Sequence, residues 1–401
     1  MSVPKTSLEV LVNRINQLPS LPAVVHHLIE ATEDPDATIA SIEEVIRADQ
    51  SLTAKVLKLV NSAFFALRSR VSTLHHAAVI LGLDALRNLA LTVHTYEYLS
   101  GCGRNAAFDK RALWEHAAAV GIFAKRLAAA AKYPRPDEAF VAGLLHDLGK
   151  MILDEYFAAE FARALELCRD EALPLAACEA RVLGFDHGAA GAEVGKKWRF
   201  PPQLVETIKL HHAPPDGSLL PAAVQLGDVM AKAWKIGASG DPLLHAISPT
   251  VWDQIPVDEA GLRGIVEVSR EEITQVLGLF DFENDRRDPK PPATRSVPVA
   301  TDTGGCIALV AADEEPFVPL KIYLEESGFE VRLVRPDQPF PTDSVVVWAR
   351  DQESARRIKN DFLEKHPALE SVPTCCLAPP CDPAAVVDDL RRAVPTGAPN
   401  R

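Results

Sequence analysis

Residues 142–150 read Ala-Gly-Leu-Leu-His-Asp-Leu-Gly-Lys, with His146 and Asp147 side by side in an otherwise apolar stretch. The apolar residues on both sides predict one buried helix over residues 141–156. On that helix, Lys150 would share a face with His146, four residues away, where its ammonium group can meet a phosphate oxygen. An aspartate next to a histidine also lets one turn of helix offer ligands to two metal ions.

Further histidines lie on both sides of this pair along the chain, each on or at the end of a predicted helix. Neutral imidazole rings and carboxylates are ligands that divalent Fe, Mn, Ni and Zn favour. Two such ions that share a carboxylate or a water molecule generate hydroxide near neutral pH. The candidate metal ligands are His116, His146, Asp147, His187, His211, His212 and Asp228.

Each candidate ligand also has an ordinary structural explanation. A single histidine on an apolar helix face, such as His116, is most often a core residue with one hydrogen bond. An aspartate within an apolar helix, such as Asp228, is commonly paired with a neighbouring base. Adjacent histidines at residues 211 and 212 are favourable at a helix C-terminus. Spacing alone therefore leaves both interpretations open.

Three regions of the 401-residue chain differ in pattern. Residues 1–282 show successive amphipathic helices and no strand alternation. Residues 283–303 predict an extended linker, since 283–300 contain four prolines and seven charged residues. Residues 304–395 alternate short apolar runs with helical stretches, which predicts a small α/β domain.

The element boundaries follow from the same patterns. In the first region we expect one helix that contains Val45 through Val60 and further helices at 77–83, 84–98, 111–132, 141–156, 158–169, 175–183, 187–198, 202–210, 221–235 and 270–277. In the last region we expect strands at 306–312, 329–334, 344–349 and 372–377, with helices near 317–327, 352–365 and 383–394.

Composition narrows the classes of function. The net charge of −13 and the pI near 5.4 argue against general nucleic-acid binding. No apolar run approaches the roughly 18 residues of a membrane helix, and the first residues show no secretion signal. Seven cysteines without a Cys-x-x-Cys pair are typical of reduced thiols. We therefore expect a cytoplasmic protein that does not associate with membranes.

Four stretches of the first region resemble the HDOD family, the HD-related output domain of bacterial signalling proteins. They are residues 18–22 (LPSLP), 46–56 (IRADQSLTAKV), 59–64 (LVNSAF) and 71–82 (VSTLHHAAVILG). The resemblance covers roughly residues 9–282. It implies a two-lobed, all-helical domain, with an N-terminal helical bundle over 1–105 and an HD-type bundle over 106–282.

The second lobe is similar to the wider HD phosphohydrolase superfamily. This similarity implies that His116, His146, Asp147 and Asp228 are the core metal ligands, with His187, His211 and His212 serving a second ion. Lys150 matches the lysine of the HD-x-G-K motif in the HD-GYP relatives, which hydrolyse cyclic di-GMP. Ala112 stands where some relatives carry a glutamate for a third metal, so we expect at most two divalent ions, of Fe, Mn, Ni, Zn or Mg.

The sequence departs from the HD-GYP pattern after the paired histidines. Residues 211–221 keep Asp216, Gly217 and Pro221 of that pattern. Ala213 replaces its glutamate, and leucines at 219 and 220 replace Gly-Tyr. These departures argue against cyclic di-GMP hydrolysis and leave open another phosphoester.

The last region resembles a degenerate response-regulator receiver. Asp313, Glu314 and Glu315 follow its first predicted strand as the receiver's acidic residues do. Trp348 stands where the phosphoacceptor aspartate belongs, and Pro379 stands where the lysine belongs. The connection from 334 to 344 is too short for a full crossover helix. We expect a truncated receiver-like domain that is not phosphorylated, or else an unrelated α/β module used for contact or dimerisation.

Two classes of function remain. The first is a signal transduction output or regulatory protein that binds a signalling partner protein or a nucleotide ligand, with a divalent metal and a homodimer both compatible. The second is a metal-dependent phosphohydrolase of a nucleotide or cyclic dinucleotide, in which Lys150 and Asp147 are the catalytic candidates. A nucleic-acid role is disfavoured by the net charge.

Overall fold

The computed structural model describes the second helical lobe almost continuously, over residues 108–171, 173–241 and 249–279. It describes the N-terminal region at 10–12, 38–47, 50–61 and 70–82 and the C-terminal region mainly at 306–311, 329–334, 344–348 and 374–377. Leu86, Leu89, Ala90, Val93, Leu243, Ile247, Lys321, Leu324, Glu325 and Asn360 are described singly or in pairs.

Most helices of the helical region lie where the apolar periodicity predicts them. Its helices are α1 (Ile39–Arg47), α2 (Gln50–Val60), α3 (Leu74–Leu81), α4 (Lys110–Ala130), α5 (Pro136–Leu145), α6 (Leu148–Tyr156), α7 (Ala158–Glu171), α8 (Leu175–Leu183), α9 (His187–Lys197), α10 (Pro202–Leu210), α11 (Leu219–Ala233), α12 (Pro249–Gln254) and α13 (Glu259–Leu279). Leu86, Leu89, Ala90 and Val93 of the predicted helix 84–98 are helical.

The long, alanine-rich α4 is the centre of the second lobe. It packs against α5, α11 and α13, and its small side chains permit close helix contact. The helices α6, α9 and α10 form a neighbouring layer, in which α9 contacts both of the others. The buried apolar residues of both groups of helices belong to one continuous core.

Two predicted helices are wrong in the same way. The helix predicted over 141–156 is two helices, α5 and α6, because the chain turns at His146 and Asp147. Asp147 has φ −95° and ψ 12°, outside the helical range, so the two flanking segments diverge. The helix expected to run through Val45 and Val60 is also two, α1 and α2. The helix α12 is absent from the predictions, and α13 begins eleven residues before the predicted 270.

The C-terminal strands agree with their prediction to within two residues at each end. They are β1 (Cys306–Ala311), β2 (Glu330–Val334), β3 (Ser344–Trp348) and β4 (Thr374–Leu377). All neighbours pair in parallel, in the order β2-β1-β3-β4. The strands β2 and β3 therefore lie on opposite sides of β1, and residues 335–343 between them lie outside those described.

Several predictions fall outside the described residues and stay predictions. They are the boundaries near 105, 282, 303 and 395, the motif 18–22, the linker, the acids at 313–315, Pro379 and most of the three C-terminal helices. Among the helices that the structure describes, none combines the length and apolarity needed to cross a bilayer.

Candidate metal centre

The second lobe brings the predicted ligands together from separate helices. His116 lies in the middle of α4 and Asp228 in the middle of α11. His146 and Asp147 occupy the turn between α5 and α6, and His187 is the first residue of α9, as predicted. The remaining two, His211 and His212, follow the last residue of α10.

Close helix packing puts His187 beside Asp147. A Cβ atom on Gly149 would lie 1.8 Å from the backbone oxygen of His187, so α6 and α9 meet there backbone to backbone. Asp186 caps α9 by accepting a hydrogen bond from the amide of Ala189, which fixes the direction in which the helix starts. Only glycine, which has no Cβ atom, allows α6 and α9 to approach this closely at residue 149.

Asp147 is the centre of the cluster. Its Oδ2 lies 3.3 Å from Nε2 of His146 and 4.0 Å from Nε2 of His116. Its Oδ1 lies 3.3 Å from Nε2 of His187 and 3.8 Å from Nε2 of His211. The two oxygens of one carboxylate therefore face two different pairs of imidazole rings, which is the placement that a bridging ligand requires.

The ring orientations are fixed from outside the cluster. Nδ1 of His146 lies 2.6 Å from the carbonyl oxygen of Gly143, and Nδ1 of His211 lies 2.9 Å from that of Ile208. A carbonyl oxygen only accepts, so each Nδ1 donates and each neutral ring keeps its lone pair on Nε2. Histidines that ligate metals show this pattern almost always, with the outer nitrogen held by a carbonyl or carboxylate.

A buried glutamate does the same for His187. Oε2 of Glu179 lies 2.6 Å from Nδ1 of His187 and accepts from its backbone amide at 2.8 Å. Nε2 of His187 then lies 2.8 Å from Nε2 of His212. Two imidazole nitrogens this close share a proton or bind a common cation, because two lone pairs would repel each other.

Two lysines lie against the carboxylates. Nζ of Lys150 is 2.7 Å from Oδ2 of Asp147, and Nζ of Lys232 is 3.1 Å from Oδ2 of Asp228. Oδ1 of Asp228 lies 3.0 Å from Nε2 of His116. The expectation that Lys150 shares a helix face with His146 is wrong, because the helix is interrupted between them and the lysine pairs with Asp147 instead.

Burial and charge shift the protonation of these groups. Burial lowers the pKa of His116 despite the nearby Asp228, and lowers the pKa of His211 and His212 well below the usual value. Burial alone would raise the pKa of Asp147, but His146 and Lys150 hold it well below its usual range. For His187, burial alone would lower the pKa. The negative charge of Glu179 outweighs burial and raises the pKa to about 9.

The residues present fit a divalent metal centre. Nε2 of His146, Nε2 of His211 and Oδ1 of Asp147 are buried without a hydrogen bond of good geometry to any described residue. These are the same atoms that converge on the interior. Three groups place their ligand atoms within 4.8 Å of one another: His116, His146 and Asp228; His146, Asp147 and His211; and His187, His211 and His212. Nitrogen with carboxylate ligands suits Fe, Mn, Ni or Zn better than Mg.

All eight residues singled out from the sequence lie in or against this cluster, seven of them buried and His212 half-buried. Sequence reasoning missed Glu179, Lys232 and Asp241, each at most 7% exposed. Lys232 follows Asp228 by four residues within an apolar helix, and that i, i+4 charge pair is a signal in the sequence. No comparable signal marks Glu179 or Asp241.

Comparison with known proteins supports the family that the sequence suggests. Residues 18–214 match the family model of the HDOD domain. An uncharacterized protein of Treponema pallidum (strain Nichols) is 28% identical over 206 residues, which is 50% of this chain and 39% of that protein. The chain thus matches well under half of the length of that relative.

Solved structures show the same fold. An HDOD domain protein of unknown function from Geobacter sulfurreducens is 24% identical with a TM-score of 0.57, covering 68% of this chain and 99% of that one. A protein from Shewanella amazonensis SB2B, provisionally named a phosphohydrolase, is 24% identical with a TM-score of 0.54. The match covers 67% of this chain and 97% of that one. The family model supports an HDOD domain over residues 18–214, and the solved structures agree with this chain in fold.

Proposed function

We propose that this protein is a signalling regulator whose HDOD region holds a divalent metal centre and acts by binding a partner protein or a nucleotide. The observation that carries the metal centre is the position of Asp147, whose two oxygens face two separate pairs of histidines. His116, His146 and Asp228 with Oδ2 of Asp147 would hold one ion. His187, His211 and His212 with Oδ1 of Asp147 would hold the other.

Burial favours a regulatory role for the centre. Six of the seven proposed ligands are at most 3% exposed, and His212 alone is half-buried. A centre enclosed in this way stabilises one arrangement of α4, α5, α9, α10 and α11 and so sets the shape of the lobe. The helical surface around it is then available to a partner, with a homodimer as one such assembly.

The test is metal content per chain in protein purified without chelator and without oxygen. We expect about two equivalents of a first-row metal in the wild type. Asp147→Asn keeps the size of the side chain and removes its charge, so the metal should fall below one equivalent. Asp186→Asn is the matched control, because asparagine caps a helix as well as aspartate does. A folded wild type free of metal would overturn the proposal.

A second candidate function is metal-dependent phosphoester hydrolysis, favoured by the buried Lys150 beside Asp147. When bound, two ions would supply a hydroxide nucleophile and bind the phosphate oxygens. Lys150 holds Oδ2 of Asp147 in place and can stabilise charge on a phosphate oxygen. Ala213 and the leucines at 219 and 220 argue against cyclic di-GMP as the substrate.

One assay separates the two candidates. Metal-loaded protein is incubated with a panel of nucleotides, cyclic dinucleotides and bis(p-nitrophenyl) phosphate. Turnover that is lost in Asp147→Asn and kept in Asp186→Asn would establish the hydrolase. Nucleotide binding in a thermal-shift assay without turnover would favour the regulator.

We further propose that the C-terminal region is a receiver-like domain that is not phosphorylated. Support comes from its parallel order β2-β1-β3-β4, which is the doubly wound order 2-1-3-4-5 without its last strand. Trp348 ends β3, where a receiver has its phosphoacceptor aspartate. Acetyl phosphate should therefore leave the mass of the intact chain unchanged, whereas a phosphorylated species would refute the proposal.

A further inference from the structure

A buried lysine outside the proposed ligand set lies between two aspartates. Lys232 is four residues after Asp228 on α11, and its Nζ lies 3.1 Å from Oδ2 of Asp228 and 3.6 Å from Oδ2 of Asp241. Its side chain is 3% exposed. A buried ammonium group at this position has lost its hydration and is stabilised by the two carboxylates.

The lysine determines which oxygen of Asp228 is available. Oδ2 of Asp228 points to Lys232, so Oδ1 is the oxygen that faces His116, at 3.0 Å. Without the ammonium group, Oδ2 of Asp228 loses its 3.1 Å contact with Nζ of Lys232 and the carboxylate could rotate. A rotated carboxylate would no longer aim Oδ1 at the metal position, and a ligand held in the wrong orientation binds metal poorly.

Asp241 connects this lysine to the other half of the cluster. Its Oδ1 accepts from the amide of Leu243 at 3.1 Å and its Oδ2 from the amide of Leu175 at 3.3 Å. Leu175 is the first residue of α8, the helix that carries Glu179. Glu179 in turn holds His187 through Nδ1. Through these buried contacts and through α8, Asp241 supports one ligand in each half of the cluster. These ligands are Asp228 and His187.

We propose that Lys232 is a positioning residue that holds Asp228 in its metal-binding orientation, with Asp241 as the residue that anchors it. This inference rests on the proposed metal centre and adds a residue that supports one specific half of it. The ion held by His116, His146 and Asp228 should depend on Lys232. The ion held by His187, His211 and His212 should not.

The test is a Co²⁺ titration of metal-free protein followed by visible absorbance, with folding checked by circular dichroism. In Lys232→Met, we expect one of two binding phases to weaken by about 10- to 100-fold, the usual effect of losing a partner of a metal ligand. The other phase should stay within about twofold of the wild type. Lys209→Met, on the exposed face of α10, is the control and should change neither phase.

A second variant keeps the result decisive if Lys232→Met does not fold. Lys232→Met combined with Asp241→Asn removes one buried charge of each sign, so the net charge of the interior is unchanged while Asp228 still lacks its ammonium partner. We expect this protein to fold and to show the same weakened phase; the other phase is not compared in this variant, because Asp241 also accepts from the amide of Leu175 on the helix that carries Glu179. Wild-type binding in both phases would overturn the role of Lys232. A wild type that binds no Co²⁺ would instead overturn the proposed metal centre itself.

Discussion

Replacing Gly149 by alanine tests whether the contact between α6 and α9 builds the centre. The added Cβ would lie 1.8 Å from the backbone oxygen of His187 and 2.8 Å from the amide nitrogen of Gly191. Ordinary van der Waals contact begins at 3.4 Å, and both obstacles are backbone atoms that no rotamer change can move. The helices must therefore separate, or the variant must unfold.

The expected cost follows from that clash. Overpacking a core usually costs about 1–3 kcal/mol when side chains can adjust, so a clash with backbone should cost about 3 kcal/mol or more. Separation of the helices would also lengthen the 3.3 Å distance between Nε2 of His187 and Oδ1 of Asp147. We expect Gly149→Ala to lose the ion held by His187 while the ion held by Asp228 is less affected.

The assay is urea unfolding followed at 222 nm, with metal content measured on the same samples. Gly264→Ala is the matched control, because nothing lies within 4 Å of its added Cβ in the middle of α13. Alanine there should stabilise the helix by about 0.5–1 kcal/mol. The close approach of α6 and α9 is refuted if the free energy of unfolding of Gly149→Ala lies within about 0.5 kcal/mol of the wild-type value and the variant keeps its metal.

Two further predictions concern stability. Burial lowers the pKa of three clustered histidines, His116, His211 and His212. Just below pH 6.5 these rings therefore bind fewer protons in the folded chain than in the unfolded chain. Metal-free protein should lose stability as the pH falls from 6.5 to 5, by at most about 1.4 kcal/mol per pH unit for each ring. Urea unfolding in the presence of a chelator at several pH values measures this loss, and a flat profile would contradict the prediction. Arg126 on α4 pairs with the buried Glu272 on α13. Arg126→Met should destabilise the protein by about 1–3 kcal/mol, because the carboxylate loses this partner. The control is Arg111→Met, which breaks an exposed pair with Glu115 and should change stability in the same thermal unfolding assay by less than about 1 kcal/mol.

Most of the fold could be predicted because local pattern decides it. The helix predicted at 202–210 and the strands near 306 and 344 agree with the structure, since each has a proline boundary or a short apolar run. The break at His146 could not be predicted, because the residues on both sides of it are apolar and form helices well. The turn lies where α6 makes a tertiary contact, the close approach of Gly149 to the backbone of His187, which the local pattern does not reveal.

The candidate site, like the fold, could be predicted from the sequence only in part. Histidine and aspartate in apolar surroundings are rare enough to attract attention, so the ligand candidates could be chosen from the sequence. The residues that hold these ligands in place could not be chosen from the sequence, with one exception. Glu179 acts on His187 across a helix boundary and Asp241 acts on Leu175 from 66 positions away. Only Lys232 lies at a spacing, four residues from Asp228, that sequence periodicity can detect.

The energetic case for a cation comes from the interior of the cluster. The contacts inside the cluster are poor hydrogen bonds, since Nε2 of His146 lies 3.3 Å from Oδ2 of Asp147 and Nε2 of His211 lies 3.8 Å from Oδ1. A buried polar atom that loses its partner altogether costs about 1–3 kcal/mol, and an imperfect partner recovers only part of that free energy. Each of the two proposed ions would bind one of these nitrogens together with one oxygen of Asp147 and so offset the cost, whereas an apolar core of the same size would never have incurred it. Two imidazole nitrogens and a carboxylate oxygen brought together in the interior are what the proposed metal centre requires, and a packed apolar interior would not need them.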